Sequence, residues 1–207
     1  MNHRPLSGLY VITPSAGGQD SDILSRVTLA IDGGATLVQY RDKSATPVCR
    51  VRVAGALAEL CRERGVPFLV NDDPELARSS GADGVHLGKN DVTLREARSQ
   101  LGPAAIIGIS CYDRLDRARR AEAGGADYVA FGSFFHSTTK PAAVRAPLEL
   151  LQHARDALSI PIVAIGGITP ENGRQLLAAG ADVLAVIDGV FGQRDIMAAA
   201  QRYARLF

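Results

Sequence analysis

The sequence has no tryptophan, only three cysteines and only three lysines in 207 residues. The cysteines, Cys49, Cys61 and Cys111, are odd in number and show no CxxC spacing, which argues against a disulfide framework and against a zinc site. We therefore expect reduced, mostly packed thiols. The basic residue near the N-terminus is not followed by the apolar h-region of a signal peptide, and no apolar run approaches the ~18 residues that cross a membrane. These absences predict a soluble, cytoplasmic protein with no membrane partner.

The chain also lacks an excess of charge of either sign. Its formal net charge is +1, and its 22% charged residues form no basic stripe interleaved with aromatic residues. Nucleic acid is therefore not an expected partner. We expect small-molecule partners and leave a homo-oligomer open. The length and the 46% hydrophobic content suit one domain with a core of ordinary size.

Short segments rich in β-forming residues alternate with segments of helical spacing along the whole chain. A motif of glycine, alanine and a polar residue recurs before the second, fourth, sixth and eighth of these β segments. Parallel strands buried on both faces lose their two-residue alternation, so the pattern predicts a single (β/α)8 TIM barrel domain over residues 1–207. An open doubly wound sheet is the alternative, disfavoured because no GxGxxG follows the first strand. The predicted strands are residues 8–13, 36–41, 67–72, 83–88, 105–110, 127–134, 161–167 and 183–189.

In such a barrel, active residues follow the C-terminal ends of the strands. After the second strand, Gln39, Arg41 and Lys43 alternate and are predicted to share one face, with Tyr40 and Asp42 on the other. The amide can donate and accept, the guanidinium can contact paired oxygens, and the ammonium adds a point charge. A solvated loop is the alternative interpretation.

The three lysines of the chain all fall just after predicted strands. Lys43, Lys89 and Lys140 follow the second, fourth and sixth strands. Together with Arg41 they would surround the mouth of the barrel with positive charge. Such a mouth favours an anion of more than one charge, such as phosphate or pyrophosphate.

Two aspartates near these lysines have no evident structural role. Asp73 precedes a proline and a helical segment, as an N-cap does, so Asp72 is not needed as a cap. Asp91 is not needed as a cap, because residues 93–96, TLRE, form a capping box. Two spare carboxylates at neighbouring strand ends suit Mg²⁺ that bridges to phosphate oxygens. Salt bridges to the nearby lysines are the alternative.

The segment after the sixth strand is polar. Ser137, Thr138 and Thr139 place three hydroxyl groups beside Lys140, and His136 lies next to them. This segment could wrap a phosphate, although a plain turn would have a similar sequence. We leave the role of His136 open.

A second anion site is predicted after the seventh and eighth strands. Gly166 and Gly167 precede Thr169, an expected N-cap, and would let a phosphate approach backbone N–H groups at a helix start. Asp188 follows the eighth strand, and its carboxylate would repel phosphate unless only its backbone faces the ligand.

These motifs together resemble those of the thiamine-phosphate synthase family. The motifs are QYRDK, VNDD, GVHLG with a following aspartate, GIS, FGSFF followed by STTK, and IGGIT. The resemblance implies a (β/α)8 barrel and a transferase. The implied reaction joins 4-amino-2-methyl-5-hydroxymethylpyrimidine diphosphate to hydroxyethylthiazole phosphate and releases pyrophosphate with Mg²⁺. In that family pyrophosphate leaves first, and the thiazole nitrogen then captures a pyrimidine methylene cation.

The resemblance also implies a role for each site residue. Lys140, Arg41 and Ser110 would be catalytic: Lys140 and Mg²⁺ would neutralise the departing pyrophosphate, and Ser110 would position it or the pyrimidine. The pyrimidine diphosphate would contact Gln39, Tyr40, Arg41, Asp42, Lys43, Asn71, Ser110 and Lys140. The thiazole phosphate would contact Ser137, Thr138, Thr139, Gly167, Ile187 and Asp188. Mg²⁺ would be held by Asp72 and Asp91.

Two positions depart from the commoner family pattern. His136 and Ser137 stand where the pattern often has proline and threonine, and Asp188 stands where it commonly has serine. Ser137 keeps the hydroxyl group. We hypothesise that the backbone N–H of Asp188, and not its side chain, binds the thiazole phosphate.

Two other functions are considered. Thiazole tautomerases share the barrel, but they carry a histidine directly after the glycine of the sixth strand, where this chain has Ser133. A non-catalytic phosphate-binding barrel would have little use for Asp72, Asp91 and Lys140. Schiff-base aldolase chemistry would need a desolvated lysine, whereas the three lysines here lie among expected anions that raise their pKa.

Overall fold

The computed structural model describes residues 6–15, 20–136 and 144–207. Eight parallel strands pair in chain order, and the eighth pairs with the first, so the sheet closes into a barrel. The predicted TIM barrel is therefore confirmed. The strands are β1 Gly8–Ile12, β2 Ala35–Tyr40, β3 Phe68–Asn71, β4 Gly84–Leu87, β5 Ile106–Tyr112, β6 Tyr128–Phe131, β7 Ile162–Ile165 and β8 Val183–Val186. The helices are α1 Asp20–Asp32, α2 Pro47–Arg64, α3 Pro74–Ser80, α4 Leu94–Leu101, α5 Leu115–Ala123, α6 Glu149–Ala157, α7 Pro170–Ala178, α8 Asp188–Phe191 and α9 Ile196–Ala204.

All eight predicted strands are present, but β6 and β8 each end three residues earlier than the sequence suggests. β6 ends at Phe131, and residues 132–134 leave the sheet. Apolar character continues there because Phe134 is buried against the core outside the sheet. After β8, residues 188–191 form the short helix α8, whose Phe191 is buried in the same core.

The strands separate two hydrophobic layers. One face packs against the surrounding helices, and the other fills the inside of the barrel. Because side chains alternate along a strand, positions two residues apart point inward together. The inward-facing layer comprises Tyr10, Ile12, Leu37, Leu69, Ile106, Tyr128, Ala130, Val163, Val183 and Ala185.

The repeat found in the sequence joins strands at the N-terminal rim of the barrel. Its three aspartates each accept a hydrogen bond of 2.8 Å from a backbone N–H near the start of the preceding strand. In the first copy the polar residue is Thr36, whose hydroxyl donates to the Ser7 carbonyl at 2.7 Å. The repeat therefore ties each even strand to the odd strand before it. The three pairs are Asp83 with Phe68, Asp127 with Ile107, and Asp182 with Ile162.

Replacing Asp127 with alanine is expected to lower the free energy of unfolding by about 1–3 kcal/mol, because the Ile107 N–H loses its acceptor. The carboxylate also pairs with Arg98 at 2.6 Å. Urea unfolding measures the change. Asp22→Ala is the control: Asp22 is 58% exposed in an ion pair on α1, and its loss should cost no more than about 0.5 kcal/mol. Equal effects of the two variants would contradict this role of the repeat.

The cysteines and the N-terminal cap of α3 are as the sequence predicts. The three cysteines are free, with Cys61 and Cys111 buried and Cys49 half-buried, as predicted. Asp73 caps α3 and accepts from the Leu76 N–H at 2.9 Å. Within the described residues, none of the helices combines the length and the apolar character that crossing a membrane requires.

Candidate active site

A cavity of about 1240 Å³ opens at the C-terminal ends of the strands. Its polar inward-facing strand side chains come from four consecutive strands, whereas the inward-facing side chains of β1, β7 and β8 that line it are apolar. The polar side comprises Gln39, Asn71, His86 and Ser110, from β2 to β5. The apolar side comprises Ile12, Ile165 and Ala185. The cavity can therefore hold a flat ring that turns its polar atoms toward β2 to β5 and its apolar edge toward the opposite strands.

A chain of hydrogen bonds runs through the barrel interior between two of these polar residues. The Gln39 amide donates to the Tyr10 hydroxyl, which lies 3.0 Å from the Tyr128 hydroxyl. The Tyr128 hydroxyl is 2.8 Å from Nδ1 of His86, and Nε2 of His86 is 2.8 Å from Oγ of Ser110. Burial raises the pKa of both tyrosines above their ordinary value, so each hydroxyl keeps its proton. We call these five side chains the interior relay.

A second cavity, of about 650 Å³, adjoins the first, and Asn71 lines both. Lys43 lines this second cavity with Tyr40 and Asp42, whereas Gln39 lines the larger one. The prediction that Lys43 shares a face with Gln39 and Arg41 is therefore wrong. β2 ends at Tyr40, and the alternation of side chains stops there. Arg41 does line the large cavity with Gln39.

Asp42 has a structural role in the turn after β2. Its Oδ1 accepts hydrogen bonds from the Ser44 N–H at 2.8 Å, the Ser44 hydroxyl at 2.7 Å and the Ala45 N–H at 3.1 Å. Asp42 as a whole is 9% exposed. These bonds fix the course of the chain that carries Lys43.

Asp72 and Asp91 lie together, as the sequence predicts. Their carboxyl groups are within hydrogen-bonding reach, and Asp72 also pairs with Lys43 at 3.1 Å. Asp72 has a φ of 65°, an uncommon conformation for a residue with a side chain. Asp91 is not a helix cap, because Thr93 and Glu96 form the capping box of α4. Its Oδ2 instead accepts from the Gly88 N–H at 2.6 Å.

The two carboxyl groups differ in their affinity for a proton. Burial opposes the ionisation of Asp72, but its bonds to Asp91 and Lys43 outweigh burial and lower its pKa. Burial and the nearby Asp72 raise the pKa of Asp91, despite the Gly88 N–H. Two carboxylates in contact gain from a cation between them, and this pair could supply two oxygen ligands. Within residues 6–15, 20–136 and 144–207, no group of three or more acidic, histidine or cysteine side chains could hold a metal ion.

The loops after β6 and β7 are joined by backbone hydrogen bonds. The Phe134 N–H donates to the Ile165 carbonyl at 3.2 Å, and the Phe135 N–H donates to the Gly166 carbonyl at 3.0 Å. A Cβ atom at Gly167 would lie 2.1 Å from the His136 carbonyl oxygen, so the close approach requires glycine. Gly167 and His136 both line the large cavity.

The comparisons with known proteins agree with one another. The family model described as thiamine monophosphate synthase matches residues 9–190. The chain belongs to this family. Thiamine-phosphate synthase from Thioalkalivibrio sulfidiphilus is 52% identical over 98% of this chain and 96% of its own. The one from Methylococcus capsulatus is 53% identical over 98% of this chain and 90% of its own. The solved thiamine phosphate pyrophosphorylase from Pyrococcus furiosus superposes with a TM-score of 0.86 at 37% identity, over 96% of this chain and 94% of that one.

The structure places most of the residues that the family resemblance selects around the two adjoining cavities. Four of them, Ser137, Thr138, Thr139 and Lys140, lie outside the described residues. Asp91 lies beside Asp72. The individual roles stay predictions. The large cavity is lined by Gln39, Arg41, Asn71, Ser110, Gly167, Ile187 and Asp188. The smaller one is lined by Tyr40, Asp42, Lys43, Asn71 and Asp72.

The sequence does not reveal two features of this family member's site. His86 is expected to be a satisfied core or near-core residue, and its ring nitrogens do have partners, but one of them is Ser110. Counting by twos along β4 and β5 would have placed both side chains inside the barrel. Arg117 on α5 donates to the carbonyls of Ser110 at 2.6 Å and Gly88 at 3.1 Å, and no motif indicates that contact.

Proposed function

We propose that this member of the family joins 4-amino-2-methyl-5-hydroxymethylpyrimidine diphosphate to hydroxyethylthiazole phosphate, releasing pyrophosphate and forming thiamine phosphate. Family membership makes the chain a transferase of thiamine biosynthesis. The observation that carries the finer proposal is the contact of Asp72 with Asp91 and Lys43 beside the large cavity. A diphosphate and a divalent cation are the ligands that such a group of charges suits.

The chain's own residues would act by alignment and charge stabilisation. Arg41 and Lys140 would neutralise the departing pyrophosphate, and Ser110 would position it or the pyrimidine ring. The thiazole phosphate would lie at Gly167 and the backbone N–H of Asp188, opposite the diphosphate. Holding the thiazole nitrogen in line with the methylene carbon turns a reaction between two molecules into one within a complex. No general base is needed in this scheme.

The donor set fits Mg²⁺. Asp72 and Asp91 would supply two carboxylate oxygens, and diphosphate oxygens with water would complete the shell, as is usual for this ion. When bound, Mg²⁺ would supply positive charge that stabilises the pyrophosphate leaving group. Lys43 would then be shared between Asp72 and the diphosphate.

Proton-transfer chemistry of the thiazole tautomerase kind has less support. Its histidine position after the β6 glycine is Ser133, whose hydroxyl donates to the Phe135 carbonyl at 2.8 Å. The Ser133 hydroxyl therefore donates its hydrogen bond within the loop that follows β6. A cytoplasmic location and the exclusion of nucleic acid and membrane partners stay predictions from composition.

Purified protein mixed with both substrates and Mg²⁺ is expected to release pyrophosphate and form thiamine phosphate in equal amounts. EDTA should stop both, and added Mg²⁺ should restore them. Coupled phosphate detection and mass spectrometry measure the two products. Conversion of the thiazole phosphate alone, without pyrophosphate release, would favour the tautomerase and reject the proposal.

A further inference from the structure

We propose that Arg117 is a positioning residue, which fixes the loop after β4 and so sets the orientation of Asp91 toward the cation. In this role the guanidinium touches neither the cation nor the substrates. It acts through Gly88, which is hydrogen-bonded to both Arg117 and Asp91. The inference rests on the proposed function for the presence of a divalent cation at Asp91.

The Arg117 side chain joins the C-terminal ends of β4 and β5. Its Nε donates to the Ser110 carbonyl at 2.6 Å, and its Nη2 donates to the Gly88 carbonyl at 3.1 Å. The arginines on either side of it, Arg114 and Arg120, form exposed ion pairs instead. Because the guanidinium is planar and its donors are fixed in a fork, the two bonds set the separation of the two strand ends.

Gly88 connects this arginine to the proposed cation site. The Gly88 carbonyl accepts from Arg117, and the Gly88 N–H donates to Oδ2 of Asp91 at 2.6 Å. Movement of the Gly88 backbone would therefore turn or release the Asp91 carboxylate. Groups that orient a metal ligand by a hydrogen bond commonly contribute about 10- to 100-fold to metal affinity.

Tyr112 holds the same peptide unit at its other polar atom. The Lys89 N–H, which shares that unit with the Gly88 carbonyl, donates to the Tyr112 hydroxyl at 3.2 Å. Tyr112 has a φ of 56°, and the pairing of β5 with β6 shifts register between Ser110 and Tyr112. An aromatic residue seldom adopts this conformation, and irregular strand pairing beside a site commonly redirects a side chain. The peptide unit cannot rotate without breaking its bonds to Arg117 and Tyr112.

The sign of the effect separates positioning from charge. Arg117 carries a positive charge near the proposed cation site, and that charge opposes the binding of a metal ion. By charge alone, Arg117→Met should therefore strengthen metal binding. If the guanidinium acts by holding Gly88, the same variant should weaken metal binding.

Mn²⁺ titrated into the protein alone is the probe, because it suits the same oxygen ligands as Mg²⁺ and its free ion is measured by electron paramagnetic resonance. Arg117→Met is expected to raise the dissociation constant by about 10- to 100-fold. Tyr112→Phe changes no charge and removes one hydrogen bond, so it should raise the constant by about threefold. Amide hydrogen exchange at Gly88 and Lys89, measured without metal, should accelerate in both variants.

Arg98→Met is the matched control. Arg98 donates to the carbonyls of Ala105 and Gly125 and pairs with Asp127, at the N-terminal rim of the barrel. The control removes the same guanidinium and the same charge from the opposite end of β5. Its dissociation constant for Mn²⁺ should stay within about twofold of the unchanged protein, because charges so far apart are screened.

A lower or unchanged dissociation constant in Arg117→Met, or equal losses in Arg117→Met and Arg98→Met, would overturn the inference. So would a rise of more than about threefold in KM for the pyrimidine diphosphate at saturating Mg²⁺, since that would mean direct contact with the substrate. Absence of Mn²⁺ binding by the unchanged protein would overturn it as well. Failure of the proposed function would appear differently, as no pyrophosphate from the unchanged protein with the natural pair of substrates.

Discussion

Replacing Asp72 or Asp91 with asparagine is expected to lower kcat by about 100- to 1000-fold, the usual cost of losing electrostatic stabilisation of a developing charge. Each change keeps the size of the side chain and removes one carboxylate from the pair. Steady-state pyrophosphate release at saturating substrates measures the effect. Calorimetric titration of Mg²⁺ in the presence of pyrophosphate should show weaker binding in both variants.

Asp113→Asn is the control for this pair. Asp113 is an exposed aspartate at the rim of the large cavity, so the change removes the same charge from the same end of the barrel. Its kcat and its Mg²⁺ affinity should stay within about twofold of the unchanged protein, as expected for a surface substitution. Full activity of Asp72→Asn or Asp91→Asn would show that the carboxylates do not hold the cation.

The second large effect is expected on stability. Gly84→Ala should lower the free energy of unfolding by about 3 kcal/mol or more, because overpacking against backbone cannot be relieved by a side-chain rotation. A Cβ atom at Gly84 would lie 1.8 Å from the Ile106 carbonyl oxygen, in the residue that pairs with Gly84 across β4 and β5. The two strands would have to separate. Urea unfolding followed by circular dichroism measures the loss.

Gly55→Ala provides the comparison for that variant. Gly55 lies inside α2, and apart from its own stretch of helix no atom approaches within 4 Å of the position that its Cβ would take. The change should stabilise the protein by about 0.5–1 kcal/mol through helix propensity. If Gly84→Ala were as stable as Gly55→Ala, the close approach of β4 and β5 would be refuted.

The architecture could be predicted because it depends on local patterns. Eight apolar segments, glycine-terminated helices and a recurring polar residue before the even strands all follow from short stretches of sequence. Helix caps such as Asp73 and Thr169 were also predictable, since each bonds within three residues of itself. The ends of β6 and β8 were harder to predict, because Phe134 and Phe191 stay buried after the chain leaves the sheet.

The site was predictable only as a set of candidates. The contact between Asp72 and Asp91 could be expected, because consecutive parallel strands end side by side. The interior relay could not, since Tyr10 and Tyr128 lie 118 residues apart and look like ordinary core residues. The space that admits the Tyr128 ring depends on Gly108, whose missing side chain gives no positive signal in the sequence. The position of Lys43 in the smaller cavity, away from Gln39, depends on where β2 ends.

The strand ties formed by Asp83, Asp127 and Asp182 lie at the opposite end of the barrel from the two cavities. Mechanical integrity and chemistry are thus carried by different ends of the same strands. Because these three carboxylates hold neighbouring strands together at the far rim, we expect the barrel to accept changes in the length or charge of the loops at the cavity end. New anion-binding loops would then need no compensating change at the base of the barrel.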